Sequence, residues 1–556
     1  MSAETVASAT PSRFARKLPG ALSSGGLVGA LVFVWLSLTP SLLPRGPLFQ
    51  GVVTGATGAL GYGVGVAVVA VAVWLVERPL RRPSNLTLII SSVVAVGISI
   101  AVLVWYSSWQ RELRSLMGVA GLSWTAYPII VVISLLIFAL LIVGARAART
   151  VARWVSRGLS RILPRRIAAV IAGILVIALT IALLNGVVAE VAMAGLNNIF
   201  KSVNDETSAD TPQPTSPLRS GGPGSLMSWD SLGKQGRIFV SNGPTETELT
   251  AFNHRPAREP IRVYSGLDPE TNLQAEAVRA VAELRRTGGF DRAVLAVAST
   301  TGTGWVNEST AAGIEYIANG DSAIVGMQYS FLPSWLSFLV DQERARQAGQ
   351  ALFEAVHAEW DALPANHRPK LVLFGESLGS FGGEAAFSSI ADMAARTDGV
   401  LFVGPTSNNP VWRDVTARRD PRSPEILPIY RDGRTVRFAA DAPDLGRPAT
   451  AWDRPRVVYL QHASDPITWW TPQLLFQKPD WLAEPRGDDV LSSTRWIPVI
   501  TFLQVSADMA VSIDVPDGHG HVFRADIANA WAAILDLPGW TPADTERLRS
   551  VLSGDN

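Results

Sequence analysis

Five apolar runs fill the first 200 residues, near 20–43, 51–76, 86–107, 125–144 and 167–190. Each is long enough to cross a bilayer as a helix, which takes about 20 residues. A chain that begins this way cannot fold as one water-soluble globule, because such helices need lipid or other helices on every side. A cleaved signal peptide would show one short apolar region and a small-residue cleavage site, not an array. Residues 1–200 therefore read as an all-α transmembrane bundle of about five spans. The second run carries Gly51, Gly55, Gly58, Gly61, Gly63 and Gly65. Small residues at this spacing let helices approach closely in lipid. Tight packing is the expected role of the stripe, ahead of a substrate path.

Basic residues orient the bundle. Arg13, Arg16 and Lys17 precede the first run, Arg78, Arg81 and Arg82 follow the second, and seven arginines from Arg146 to Arg166 follow the fourth. With five spans these segments share one side. The other side has Arg45 in one loop and Arg111 with Arg114 in the next. The basic side is expected to be cytoplasmic, so a fifth span sends the rest of the chain out. The expected placement is a multi-pass protein of the cell membrane with an extracytoplasmic C-terminal domain. The stretch 146–166 has helical spacing with apolar residues interspersed, so it fits either an amphipathic segment on the inner leaflet or simple positive-inside signalling.

Residues 201–235 are rich in Ser, Thr, Pro, Gly and Asp without apolar period, and read as a loop or tether. Residues 236–556 alternate strand and helix patterns, which argues an α/β domain with a mostly parallel sheet. Expected strands are 237–241, 261–264, 292–299, 322–329, 370–374, 400–403 and 456–461. Expected helices are 272–286, 335–363 and 524–535. Residues 411–450 carry many charges and prolines and read as an insertion, either a lid or a decorative loop. Lys plus Arg and Asp plus Glu both number 48, so no basic excess points to nucleic acid. There is no Cys, which excludes disulfides, thiol catalysis and Cys-ligated zinc. Six His without a His-Glu-x-x-His pattern leave no His-rich metal site in view. No cofactor is expected.

The chemistry is concentrated at Gly375-Glu376-Ser377-Leu378-Gly379, the chain's one G-x-S-x-G. An apolar strand runs into it and a small-residue helix start follows. That context is the nucleophile elbow of serine α/β-hydrolases, where a side chain two residues before or after the Ser would clash. Chain order in such enzymes is Ser, acid, His, so His254, His357 and His367 precede the Ser and are out. The acid is expected after a later strand, and Asp465 follows 457–461. His462 stands before it, at a strand end. The base must come later still, from Asp517-Gly518-His519-Gly520-His521. His519 and His521 cannot be separated by pattern; His519 is preferred, with His521 as a supporting or substrate contact. A Ser hydroxyl is a poor nucleophile until a neutral imidazole takes its proton and an acid orients that imidazole. The oxyanion needs donors too: the N–H of Leu378 and one from the turn after 292–299, at Thr301 or Gly302. That turn fails as a phosphate loop, lacking Gly-Lys-Ser/Thr. Glu376 is unusual beside a nucleophile; it either hydrogen-bonds beneath the elbow or tunes the pocket.

Thr301-Gly302-Thr303-Gly304-Trp305, Gln328-Tyr329-Ser330, the elbow and Gly518-His519-Gly520-His521 together resemble a bacterial, largely actinobacterial family. Its members join a multi-span N-terminal membrane region to a C-terminal α/β-hydrolase domain. The resemblance implies that fold and a serine hydrolase site, and no settled substrate. Residues 496–513 depart from a generic α/β-hydrolase, reading as helix where a last strand is usual. The expected function is a membrane-anchored serine hydrolase acting on an acyl ester of a lipid or envelope component, with the bilayer as partner. The alternatives are an acyltransferase using the same acyl-enzyme and a non-catalytic membrane scaffold.

Overall fold

Apolar residues without interruption, free of Pro and acids, favour helix wherever water is excluded, and the N-terminal half follows that rule. The structure is a computed structural model that describes residues 22–77, 84–185, 201, 203–207, 210–268 and 270–554. The basic residues near the N-terminus, Arg78, Arg81 and Arg82, and the end of the fifth apolar run lie outside the described residues. The described helices are α1 (Ser24–Ser37), α2 (Pro47–Val76), α3 (Asn85–Leu116), α4 (Ala126–Leu159) and α5 (Arg165–Asn185).

Three of these, α2, α3 and α4, are long and apolar enough to cross a membrane, against an expectation of about five. The reason is clearest in α1. Its 14 residues rise roughly 21 Å, short of a hydrocarbon core of about 30 Å, and the chain leaves the helix ahead of Pro40 and Pro44. α4 runs on to Leu159 and carries Arg146, Arg149, Arg153 and Arg157 as part of one continuous helix. The glycine stripe is a packing surface. A Cβ on Gly61 would lie 2.4 Å from the Gly29 carbonyl oxygen, and one on Gly65 would lie 2.2 Å from that of Gly25. α1 and α2 are therefore antiparallel and in backbone contact. On another face of α2, a Cβ on Gly55 would meet the Ser134 carbonyl of α4 at 2.6 Å. The Trp35 indole donates to Ser99 at 3.0 Å and the Tyr127 hydroxyl to Ser107 at 3.1 Å, tying α3 to α1 and α4. The α1–α2 and α3–α4 loops thus lie at one end of the bundle, and the arginines of α4 at the other.

The C-terminal half holds seven parallel strands: β1 (Ile261–Ser265), β2 (Val294–Ser299), β3 (Ser322–Met327), β4 (Lys370–Glu376), β5 (Gly399–Val403), β6 (Val436–Ala439) and β7 (Arg456–Leu460). Their order is β1-β3-β2-β4-β5-β7-β6. The strands are apolar at successive positions because both faces are covered. On one face Leu371, Leu373, Val400 and Phe402 pack with α6 (Leu273–Thr287). On the other, Val372, Phe374, Leu401 and Val403 pack with α7 (Glu308–Ile317). α8 (Gln342–Ala362) covers the first face, with α9 (Leu378–Glu384); α10 (Ile500–Met509) packs against α1 and α2 and joins the same core through Val505. α11 (Arg524–Leu535) covers the second, where Trp531 is fully buried.

Three expected elements differ. Residues 237–241 lie within a helix, Gly233–Ser241, not a strand; Ile238, Phe239 and Val240 are too short a run to fix a period, and Phe239 packs on Tyr264 instead of pairing. The helix expected over 335–363 breaks at Asp341, giving Ser334–Val340 and α8. Within residues 411–450, read as an irregular insertion, Val436–Ala439 form the edge strand β6, parallel to β7. A four-residue edge strand tolerates charge, and the Arg437 guanidinium is satisfied by the carbonyls of Gly433, Leu445 and Thr450. The Ser/Pro-rich segment lies on the α/β domain, where Arg219 donates to the Val240 carbonyl at 2.9 Å and Leu226 N–H to Glu283 at 2.9 Å.

The two halves share a core. Leu42 and Leu43 of the α1–α2 loop, with Leu113 and Met117 at the end of α3, are buried in the cluster that contains Val505 of α10 and Leu378 of α9.

Candidate active site

Strand β4 ends on a forced turn. Ser377 has φ 54° and ψ −122°, a left-handed conformation that L residues adopt only under constraint. The constraint is contact. A Cβ on Gly375 would lie 2.4 Å from the Gly379 carbonyl oxygen, and one on Gly379 would lie 2.3 Å from that of Ser299. Ser377 N–H donates to the Val403 carbonyl at 2.9 Å, pinning the turn to β5. The Ser is half-buried at the N-terminus of α9.

Asp465 follows β7 through a short loop and is fully buried. One carboxylate oxygen accepts from Ile467 N–H at 2.9 Å, capping the short helix Pro466–Trp469. The other accepts from His521 Nδ1 at 2.7 Å. The cap and the imidazole contact belong to one geometry, since capping with one oxygen aims the second.

The structure brings His521, not His519, to Asp465. Gly520 decides this. Its N–H donates to the Ser464 hydroxyl at 2.8 Å, and its carbonyl meets His462 Nδ1 at 2.9 Å. Both partners lie just before Asp465 in sequence, so the residue directly after Gly520 lies alongside the carboxylate. His521 also needs Gly404, where a Cβ would lie 2.3 Å from His521 Cε1. Asp517 caps α11 by accepting from Arg524 and Ala525 N–H. His519 has no contact with Asp465; burial pushes its pKa down. His462 stacks on Phe523 at 4.0 Å and acts on the loop.

Burial disfavours the His521 imidazolium, but the Asp465 carboxylate and, more weakly, Glu376 outweigh it, so His521 titrates above the ordinary histidine range. Its Nε2 is buried without a hydrogen-bond partner and lies 4.0 Å from Glu376 Oε1. The Asn307 amide donates to the other Glu376 oxygen, and Asn307 is fixed by capping α7. Burial pushes Glu376 up to about 7. Glu376 thus faces the imidazole, beside the elbow.

Leu378 N–H opens α9 and has no protein acceptor among the described residues. Thr301 N–H is already donated to the Trp305 carbonyl at 3.1 Å, which removes it as an oxyanion donor in this conformation. Gly302 remains: its turn packs so closely on the Leu332 carbonyl that a Cβ would lie 2.4 Å away. Among the described residues no three His, Asp or Glu come together to hold a metal. Two surface clefts, lined largely by polar and charged residues from 417–488 and 271–354, include none of Ser377, Asp465 and His521. Gly404, Asn307 and Ser464 were missed by pattern reading; a positive φ after a strand end is the kind of signal only coordinates give.

Residues 261–548 match a family described as the Alpha/beta-hydrolase family, and residues 38–244 match its counterpart, the Alpha/beta-hydrolase family N-terminus. The chain belongs to this alpha/beta-hydrolase family. The second match begins at the α1–α2 loop and reaches into the α/β domain, so it covers the junction described above. Family membership points to hydrolase-type activity. No curated protein and no solved structure matches the chain.

Proposed function

We propose that this alpha/beta-hydrolase is a membrane-anchored serine hydrolase that cleaves an acyl ester of a lipid or envelope component. Ser377 attacks the ester carbonyl; His521 Nε2 takes its proton and returns it to the leaving alkoxide; Asp465 holds the tautomer and stabilises the imidazolium. Leu378 N–H, with Gly302 as the second candidate donor, stabilises the oxyanion. Water then attacks the acyl-serine with His521 again as base. The observation that carries this reading is the 2.7 Å contact of Asp465 with His521 Nδ1, which leaves Nε2 unpartnered and 4.0 Å from Glu376, the residue before the strained elbow serine. An acyltransferase would use the same acyl-enzyme and differ only in accepting an alcohol.

The bundle supports an extracytoplasmic catalytic domain. The loops that meet the α/β domain lie at the end opposite the α4 arginines, and basic ends stay inside. The test is hydrolysis of p-nitrophenyl acyl esters by the full chain in detergent, with and without an alcohol acceptor. Hydrolysis lost in Ser377→Ala is expected. Unchanged hydrolysis in that variant would sink the assignment, and release accelerated by the alcohol would favour transfer. Labelling of intact cells by a membrane-impermeant fluorophosphonate is expected; labelling only after lysis would reverse the orientation.

A further inference from the structure

Leu43, in the loop between α1 and α2, packs close to the residue beside the candidate base: a Cβ added to Gly520 would lie 3.4 Å from Leu43 Cδ2. Around this contact is a polar set sealed from water. Arg45 Nε lies 3.2 Å from Asp508 Oδ1, in the last turn of α10, with side chains 2% and 0% exposed. The Ser41 hydroxyl and Leu42 N–H donate to the other Asp508 oxygen. Gln504, one turn earlier, donates to the Thr39 carbonyl at 2.8 Å. Arg114 of α3 donates to the carbonyls of Arg45 at 3.0 Å and Ala120 at 2.8 Å, joining both bundle loops to the set.

A buried ion pair is poor evidence for stability, since desolvation offsets most of its attraction; fixing register is its best-attested use. What this pair would register is close by. Val511 N–H donates to the Asp508 carbonyl at 3.0 Å, and the carbonyl of the next residue, Ser512, accepts from His521 N–H at 2.8 Å. The Arg45–Asp508 pair thus reaches the His521 backbone through one turn of chain, while Leu43 meets Gly520 from the other side.

We propose that the α1–α2 loop of the membrane bundle is a positioning element of the hydrolase site. Ser41, Arg45 and Leu43 fix α10 and, through Ser512 and Gly520, hold His521 against Asp465. The membrane half is then part of the active-site scaffold as well as an anchor. This rests on the reading of Ser377 and His521 as nucleophile and base.

The test compares wild type, Ser377→Ala, Arg45→Met, Arg45→Lys and Leu43→Ala as full-length protein in detergent. The readouts are the fluorophosphonate labelling rate per folded molecule across pH and amide exchange over residues 511–523. Arg45→Met and Leu43→Ala are expected to label roughly 10–100-fold more slowly, the cost of a displaced catalytic group. Their acid limb is expected to fall toward the ordinary histidine value as His521 loses Asp465, exchange over 511–523 is expected to rise, and Arg45→Lys should recover part of both. Leu43→Ala keeps the ion pair, so it reports even if Arg45→Met does not fold. Wild-type rate, acid limb and exchange in folded Arg45→Met and Leu43→Ala would overturn the proposal. So would a loss confined to the yield of folded protein, which would mean that the contact only holds two halves together. Absence of label on wild-type protein would instead refute the hydrolase reading, and the exchange measurement would still decide whether the loop holds His521.

Discussion

The bundle and the α/β domain are both apolar inside, yet they pack by opposite means. In the bundle, α1 and α2 approach through Gly29, Gly61 and Gly65, where the absence of a side chain makes the contact, and large residues such as Val68, Val93 and Leu135 point outward. In the α/β domain, Phe374, Phe402 and Trp531 fill the space between sheet and helices, and almost no large side chain is left outside. Lipid solvates apolar side chains and gives helices no hydrophobic reason to associate, so close backbone approach takes over; water drives large side chains in. Where the two halves meet, neither device is used alone. The junction combines Leu42 and Leu43 with the buried Arg45–Asp508 pair.

The largest effects are expected at the site that the α/β domain holds. His521→Gln is expected to slow ester hydrolysis at least about a thousandfold, the usual cost of removing a triad member, while His519→Gln leaves the rate at wild type. Equal losses in both would mean that Asp465 does not select the base. Gly61→Leu forces a side chain into backbone and is expected to lower stability by about 1–3 kcal/mol, as overpacking does, read by thermal unfolding in detergent. Gly63→Ala meets nothing within 4 Å and is expected to stay within about 0.5 kcal/mol of wild type. Equal effects would show that the glycine stripe is not a contact surface.

The smallest effect is electrostatic. In the proposed mechanism the base works as neutral imidazole, so the rate is expected to rise with pH as His521 deprotonates. Its pKa is raised by Asp465 and Glu376, which puts the acid limb above the free histidine value of about 6.5. Glu376→Gln removes one carboxylate that favours the imidazolium. The limb is then expected to move to lower pH by roughly half a unit to one unit. A limb that stays or moves up would show that Glu376 does not act on the imidazole.

The α/β fold was legible because buried parallel strands leave unbroken apolar runs, as in 292–299 and 370–374, and because the elbow needs glycine on both sides. Order along the chain pointed to Asp465, and its carboxylate lies 2.7 Å from His521 Nδ1. The choice between His519 and His521 was not legible, since it turns on Gly520 being anchored to Ser464 and His462, more than 50 residues earlier. Among the described residues three helices qualify as spans rather than about five: α1 is apolar but only 14 residues long, and the end of the fifth run lies outside the described residues. Nothing local announces that Leu42 and Leu43 belong to the core of the α/β domain. They sit in a Pro-flanked loop, and Asp508 and Gly520, beside which they pack, lie more than 450 residues away.

The most direct test of the account is peptide mapping of the fluorophosphonate adduct on the full-length protein, in wild type, His519→Gln and His521→Gln. The account predicts one adduct, on Ser377, in wild type and His519→Gln, and none or almost none in His521→Gln. An adduct on another serine, or undiminished labelling of Ser377 without His521, would contradict it.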